Sequence, residues 1–428
     1  MPTVAAGYSA SMERARIVLK PHEDIRIRGG HPWIYDNEIA SVTGNPAPAD
    51  EVEVLDAHGR SLGCAFFNPA SKIRARIYSR TPRSADAAFF EEAIGRALEW
   101  RRRSFRDAEQ SLRMVFAEAD GIPGLIVDSF VGHPEQGESE RPHDAKEASG
   151  RWLSVQFLSL GVESRKTAIL EALQRLLPAS GIVERSDAPV RALEGLPASV
   201  AVLEGSVPER IVIRENGLHF EVDLVAGQKT GWYLDQRSNR KAAAGLLGAR
   251  RVQNTRVLDA FSNAGGFGLG CAAAGASEVL AIDSSAEAIA ALNRNAKRNG
   301  LVDRIRCIEA NVFDQLRILE RAHEHFDLLV LDPPPFARNR ASLKAAYRGY
   351  KELNLRALRL ANEGAQLVTC SCSHWFGHDL LINVLEEASR DSGRLLRIVE
   401  ERGQDLDHPV VVGYPESRYL TCIVAEIA

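Results

Sequence analysis

Hydrophobic and polar positions alternate in three different ways along this chain, and the changes mark its organisation. Between residues 15 and 80 the apolar runs are short and closely spaced: "ARIVLK", "PWIYD", "EVEVLDAHGR", "LGCAFFN" and "KIRARIYS". Strand-length runs broken by turns predict a small β-barrel or sandwich. The last of them alternates most sharply. Lys72, Arg74, Arg76, Tyr78 and Arg80 share one face, and Ile73, Ala75 and Ile77 the other. This reading leaves the cationic face open, as a ribbon suited to phosphate or as an ordinary solvated strand face.

The pattern then mixes periods. Residues 86–112 predict a helix with Phe89, Phe90, Ile94, Ala97, Leu98 and Trp100 as its apolar stripe. Arg101 to Arg103 would form a basic C-terminal end. Strands follow at "MVFAEAD" and "GLIVDSF", then a polar, Gly/Pro-interrupted stretch at 132–150 that reads as an exposed hairpin extension. "RWLSVQFLSLG", the helix "SRKTAILEALQRLL" and "GIVERSD" complete a small α+β unit. From residue 206 a hairpin around Asn216-Gly217 is followed by strict alternation of strands and helices. Such alternation predicts a doubly wound parallel sheet. The predicted fold class is therefore α/β, in three domains: 1–82, a β-barrel; 83–205, a central α+β domain; 206–428, a Rossmann-like domain.

Composition adds limits. The 428 residues carry a formal charge of −4, which argues against a wholly basic nucleic-acid coat but leaves room for local basic surfaces. No apolar run approaches the roughly 20 residues of a membrane span, and the first residues lack a signal-peptide pattern. Six cysteines, several within apolar segments, fit a reducing, cytoplasmic setting.

The α/β segment carries the candidate chemistry. "VLDAFSNAGGFG" puts Asp259 at a strand end ahead of a small-residue turn with Gly265, Gly266 and Gly268, where a ligand could approach backbone. The next strand ends at Asp283, suited to ribose hydroxyls, and the third at Asn311, whose amide oxygen could accept from an adenine amino group. This layout suits an adenine nucleotide cofactor. The dinucleotide fingerprint G-x-G-x-x-G fails, because Cys271 occupies its last glycine slot; that speaks against a nucleotide-dependent oxidoreductase. The fourth strand ends in "LDPPPF", a rigid extended segment at the sheet's carboxyl edge where a planar substrate could lie. "TCSCS" places Cys370 and Cys372 at the end of a further strand. Their spacing is too tight for the usual zinc clip, and His374 and His378 lack the H-E-x-x-H context, so no metal is expected.

"LDAFSNAGGFG", "AID", "LDPPPF" and "TCSCS" occur in the order expected of a class I S-adenosylmethionine (SAM) methyltransferase. With "GQKTGWYLDQRSNR", "DGIPGLIVD", "RGYKELN" and "DHPVVVGYPESRYL", the chain resembles the large-subunit (23S) ribosomal RNA cytosine-5 methyltransferase I family over nearly its whole length. "VLKPHEDIRIRGGHPWIYDNEI" looks like the start of that family's PUA domain. Three features depart from the family pattern: residues 132–150 look inserted, Asn311 replaces an acid, and Pro335 stands where a lysine is more usual.

The resemblance implies SAM as cofactor, with Asp259, Phe261, Gly265, Asp283, Asn311 and Asp332 at its site. It also implies that "TGWYLDQR", with Tyr233 and Gln236, folds over the cofactor; a domain-joining turn is an equally fair reading of the same residues. Ribosomal RNA would be the partner and cytosine C5 the acceptor. The family's S-C-S aligns with Ser371-Cys372-Ser373, which selects Cys372 as nucleophile beside Asp332; alternation alone does not separate it from Cys370. Lys72, Arg74 and Arg76, with Arg338, Arg340, Arg348 and Lys351 after the proline segment, are the expected RNA contacts. A homodimer is compatible with this reading, which does not fix the oligomeric state. The alternatives are methylation of another RNA position, such as a guanine nitrogen, which needs no thiol, and an RNA-binding module with an inactive α/β domain.

Overall fold

The computed structural model describes residues 15–105, 107, 110–135, 149–227, 231–249, 254–337 and 339–428. Arg338 and most of the 132–150 stretch lie outside the described residues. Three sheets follow one another along the chain.

The N-terminal sheet has six strands between Arg16 and Ser79, and its own core includes Ile17, Ile34, Val52, Val54 and Ala75. Its last strand, Ile73–Ser79, does not show the expected alternation in burial: Ala75 to Tyr78 are all buried, so the polar face is not open. Arg76 is buried, with ion pairs to Glu118 at 2.8 Å and Glu194 at 2.9 Å. Tyr78 stacks on Phe66 and joins the core of the central domain. Arg80 is tied to the carbonyls of Ile27, Gly30 and His31. The expectation of a phosphate-facing ribbon is therefore corrected at Arg76, which with Tyr78 contacts the central domain instead. Lys72 remains exposed, and Arg74 is half-buried.

The central sheet has seven strands, and the hairpin Arg210–Glu215/Leu218–Asp223 belongs to it, because Ile211–Ile213 pair with Gly132–Pro134. The boundary expected after residue 205 thus falls inside one sheet. Asn216 (φ 50°) and Gly217 (φ 84°) both adopt the left-handed conformation that a tight hairpin of this twist requires. The helix Ala87–Ser104 is capped by Asp86, whose side chain accepts from the Phe89 N–H. Its stripe is shifted from the expected one. Trp100 is exposed, and Arg101 is 1% exposed, donating to the carbonyls of Arg113 and Asp407 and pairing with Asp120 at 2.6 Å.

In the C-terminal sheet we number the strands in chain order: β1 Arg256–Ala260, β2 Glu278–Asp283, β3 Ile305–Glu309, β4 Phe326–Leu331, β5 Ala361–Ser371, β6 Leu396–Arg402 and β7 Thr421–Ile427. Their spatial order is β3-β2-β1-β4-β5-β7-β6. The first five run parallel; β7 is antiparallel to β5 and β6. The winding reverses between β1 and β4, so a crevice opens at their carboxyl ends, where ligands bind in open α/β sheets. Among the described residues, no helix is long and apolar enough to cross a membrane.

Removing one partner of a buried ion pair leaves the others desolvated and uncompensated, at a cost of about 3–5 kcal/mol. Arg76→Ala should lose stability on that scale in urea unfolding, whereas Lys72→Ala on the same strand should change it by less than about 0.5 kcal/mol. Equal, small effects would show that the Arg76 guanidinium is solvated.

Candidate active site

A cavity of about 300 Å³ sits at the reversal between β1 and β4. Its walls come from four places: the turn after β1 (Phe261 to Ala264, and Gly266), the end of β2 (Asp283 to Ser285), the segment Asp332 to Pro335 after β4, and Cys372 after β5. Trp232, Tyr233, Asp235 and Gln236 close another side.

Asp283 is half-buried, and each oxygen takes one backbone donor: Asn263 N–H at 2.9 Å and Ser285 N–H at 2.9 Å. The carboxylate is thereby fixed at the cavity wall, with lone pairs left for ligand hydroxyls. Phe261 has φ 64°, an outlier for a bulky side chain, and lines the cavity. Such strain costs on the order of 1–3 kcal/mol and clusters at functional sites.

Three expected cofactor residues do not line the cavity. Asp259 lies beneath the glycine turn, 1% exposed, accepting from the Gly268 N–H at 2.8 Å. A Cβ on residue 268 would sit 2.8 Å from that carboxyl oxygen, so glycine is needed there for the contact itself. Among the described residues the other oxygen of Asp259 meets no donor. Burial, reinforced by the Asp332 and Asp283 carboxylates and only partly opposed by Gly268, raises its pKa to about 7. Gly265 has φ 90°, and a Cβ there would strike Leu292 and Leu269 at 2.8 and 2.9 Å. Its glycine thus serves the turn and the packing beneath it, not ligand approach. Asn311 caps the helix Val312–Arg321, its amide oxygen accepting from the Asp314 N–H at 3.3 Å, and so is not free for an adenine.

The segment around Tyr233 is a fixed wall. Arg240 holds both Glu215 oxygens, at 2.7 and 3.0 Å, donates to the Tyr233 carbonyl at 2.6 Å and stacks over Trp232. Gln236 donates to Asp332 at 2.8 Å. Behind it, Arg402 donates to Asn239 and Asn239 to Gln236, at 2.8 and 2.7 Å. This relay, which aims Asp332, had no signal in the sequence beyond its polar residues.

The two thiols occupy different environments. Cys370 is fully buried in β5 opposite Cys422 of β7. Its contact with Cys422 and its burial hold its pKa well above the usual thiol value, so it stays protonated. Cys372 follows the last residue of β5 and lines the cavity, its Sγ 3.6 Å from the Pro333 carbonyl oxygen. Among the described residues no His, Cys, Asp and Glu cluster could hold a metal ion.

Of the expected cationic contacts, Arg340 and Arg348 are exposed. Lys351 is committed to Glu387 at 2.7 Å and Asp391 at 2.9 Å, which corrects its expected RNA role.

The sequence matches the PUA-like domain family over residues 17–80 and the S-adenosylmethionine-dependent methyltransferase family over residues 194–413. Proteins named ribosomal RNA large subunit methyltransferase I from Shigella boydii and Escherichia coli O157:H7 are 35% identical over 409 residues, 95% of this chain and 97% of each relative. In fold, the chain resembles a methyltransferase solved with SAH (TM-score 0.79, 19% identity, 96% of this chain and 99% of that one). It also resembles a SAM-dependent methyltransferase from Streptococcus mutans (TM-score 0.77, 18% identity, 96% and 99%).

The raised pKa of Asp259 has a stability consequence. Folded Asp259 keeps its proton up to about pH 7, while the unfolded chain releases it near 3.8. Its contribution is therefore fully present below about pH 4 and is lost as pH rises to 7, on the order of 4 kcal/mol at about 1.4 kcal/mol per unit. Asp259→Asn should gain stability relative to the parent over that window in urea unfolding. Parallel pH curves for the two proteins would disprove the shift.

Proposed function

The chain belongs to the ribosomal RNA large subunit methyltransferase I family of SAM-dependent methyltransferases, and from that membership we propose that it methylates C5 of a cytosine in large-subunit ribosomal RNA through a Cys372 adduct. The observation that carries this reading is the meeting of Cys372, Asp332 and Asp283 on one cavity.

The cavity residues fit the cofactor. Asp283 would accept from ribose hydroxyls, while Tyr233 and Gln236 would wall it on one side and Phe261 would pack against it. The unpartnered buried oxygen of Asp259 lies under the same turn, among carboxylates that a cationic ligand would relieve. SAM supplies an electrophilic methyl group when bound.

Cytosine C5 is a weak nucleophile until the ring is activated. The Cys372 thiolate adds to C6, breaking the C5–C6 double bond and leaving enamine-like electron density at C5. Asp332, aimed by Gln236, would meet the N3/N4 edge of the base and, as the carboxylic acid, donate its proton to N3 as negative charge develops there on attack. Once C5 carries the methyl group, a solvent water takes the C5 proton, its electron pair re-forms the C5–C6 double bond, and Sγ leaves as the thiolate. The prolines 333–335 keep this edge extended and rigid. Lys72, Arg74, Arg340 and Arg348 supply cationic surface for the RNA backbone.

Asp283→Ala should weaken SAM binding roughly ten- to hundredfold in titration calorimetry, the loss expected for a charge-assisted hydrogen bond of about 1.5–3 kcal/mol. Unchanged affinity would remove Asp283 from the site. Cys372→Ala should bind SAM and RNA yet transfer no methyl group, and Cys370→Ala should remain active. Activity in both would favour an acceptor that needs no thiol, such as a guanine nitrogen; mapping of 5-methylcytosine in rRNA identifies the atom. Arg340→Ala and Arg348→Ala should each weaken RNA binding and reduce the slope of log affinity against log salt by about one. An unaltered slope would exclude both from phosphate contact.

A further inference from the structure

Behind the Tyr233 wall lies a second cavity, of about 420 Å³, at the junction of the central sheet and the C-terminal domain. Arg113, Gln156 and Asp187 line it from the central domain, His408 and Tyr419 from the loop between β6 and β7. Trp232, Tyr233 and Asp235 line both this cavity and the cofactor cavity, so one short segment separates the two.

We propose that this cavity seats a second nucleobase of the same RNA strand, from a nucleotide flanking the target. The proposal rests on the RNA-methylating reading above.

The lining selects a base over a phosphate. The one cation among its named side chains, Arg113, spends its fork on Asp128, at 2.7 and 2.8 Å, and so is neutralised. The remaining polar groups are mainly acceptors. Gln156 donates its amide N–H to the Arg185 carbonyl at 2.8 Å, which leaves its own carbonyl oxygen as the edge available to a ligand. His408 is 2% exposed, and its Nδ1 is tied to Asp407 at 2.9 Å. No hydrogen bond from a described residue reaches its Nε2, which lies in a side chain that lines the cavity. With Nδ1 held by Asp407, Nε2 is the ring nitrogen that can meet a ligand, and in the neutral ring it accepts from a donor. Asp187 adds a part-exposed carboxylate, paired with Arg185 at 3.2 Å. Exocyclic amino groups of adenine, cytosine or guanine supply such donors, and the Tyr233 and Tyr419 rings offer faces for stacking.

The test uses the full-length protein and a short unmethylated ribonucleotide spanning the position that rRNA mapping identifies as its target, with an abasic residue placed in turn at each of the flanking positions. Transfer of labelled methyl from SAM is measured, irrespective of which atom accepts it. For the parent protein, one abasic position should raise KM for RNA about tenfold or more with kcat little changed. Gln156→Ala and His408→Gln should show that loss on the intact ribonucleotide, no further loss on the abasic one, and parental SAM affinity. Gln156 is only half-buried, so its variant carries the test if His408→Gln does not fold. A penalty from the abasic residue that persists in full in the variants overturns the proposal, as does the absence of any sensitive flanking position. A parent protein that binds SAM but methylates no RNA overturns the reading of function itself, and this proposal with it.

Discussion

Arg237 ties together the parts that make the cavity. It is 3% exposed, directly follows Gln236, donates to the Ser111 carbonyl in the central domain at 2.8 Å, and pairs with Asp405 at 2.8 Å and Asp407 at 3.3 Å. Burial works against the Asp407 charge, but His408, Arg237 and the Arg113 N–H more than offset it and hold its pKa at about 2. Tyr419 of the same loop donates to Asp235 at 2.7 Å, and His31 of the N-terminal domain reaches Glu416 at 3.1 Å. One loop between β6 and β7 thus contacts all three sheets. Buried ion pairs add little net stability against well-packed apolar groups, because desolvation opposes their attraction. Their directional requirements can still fix one domain arrangement, which is what a site assembled from separate segments needs.

Local period was legible in the sequence where local packing decides it. The β/α alternation after residue 250, the helix at Ala87–Ser104 and the hairpin at Asn216-Gly217 all follow from short-range signals. Partnership over long range was not. Alternation in Ile73–Ser79 separates two faces, but nothing near it in sequence says that Glu118 and Glu194 cover the polar one. The same limit explains why Arg101 is buried while its neighbour Trp100 is exposed: its acceptors lie at Asp120 and at the distant Asp407. The strand β6 carries little sequence signal for a related reason. β6 is an exposed edge, with Ile398 and Val399 largely solvent-facing, and its pattern lacks the continuous apolar run of a buried parallel strand.

At the site, topology located the candidate residues, and side-chain direction then sorted them. The carboxyl-edge rule brings Asp259, Asp283, Asn311 and Asp332 to one side of the sheet, as expected. Only Asp283 and Asp332 of these four face the cavity. Asp259 turns under the glycine loop and Asn311 caps a helix, roles that use the same acceptor chemistry on backbone N–H groups. A residue able to hold a ligand hydroxyl is equally able to hold its own chain. The sequence cannot separate those uses without knowing where the backbone donors lie.

The two cysteines illustrate how a strand end does such sorting. Side chains two apart share a face only while the strand continues. β5 continues through Ser371, so Cys370 stays in register with Cys422, with Asp332 among the groups that keep it protonated. Beyond Ser371 the chain leaves the ladder. The Ser371 hydroxyl donates to the Phe376 carbonyl at 2.8 Å, and the Ser373 hydroxyl to the Ala337 carbonyl at 2.5 Å, so the turn is pinned on both sides of residue 372. That leaves Cys372 against the proline segment, part-exposed to the cavity, while a residue of identical chemistry two positions earlier is sealed in apolar packing. Nucleophilicity requires a thiolate, and a thiolate requires polar surroundings or solvent. The difference between the two thiols is therefore set by where β5 stops.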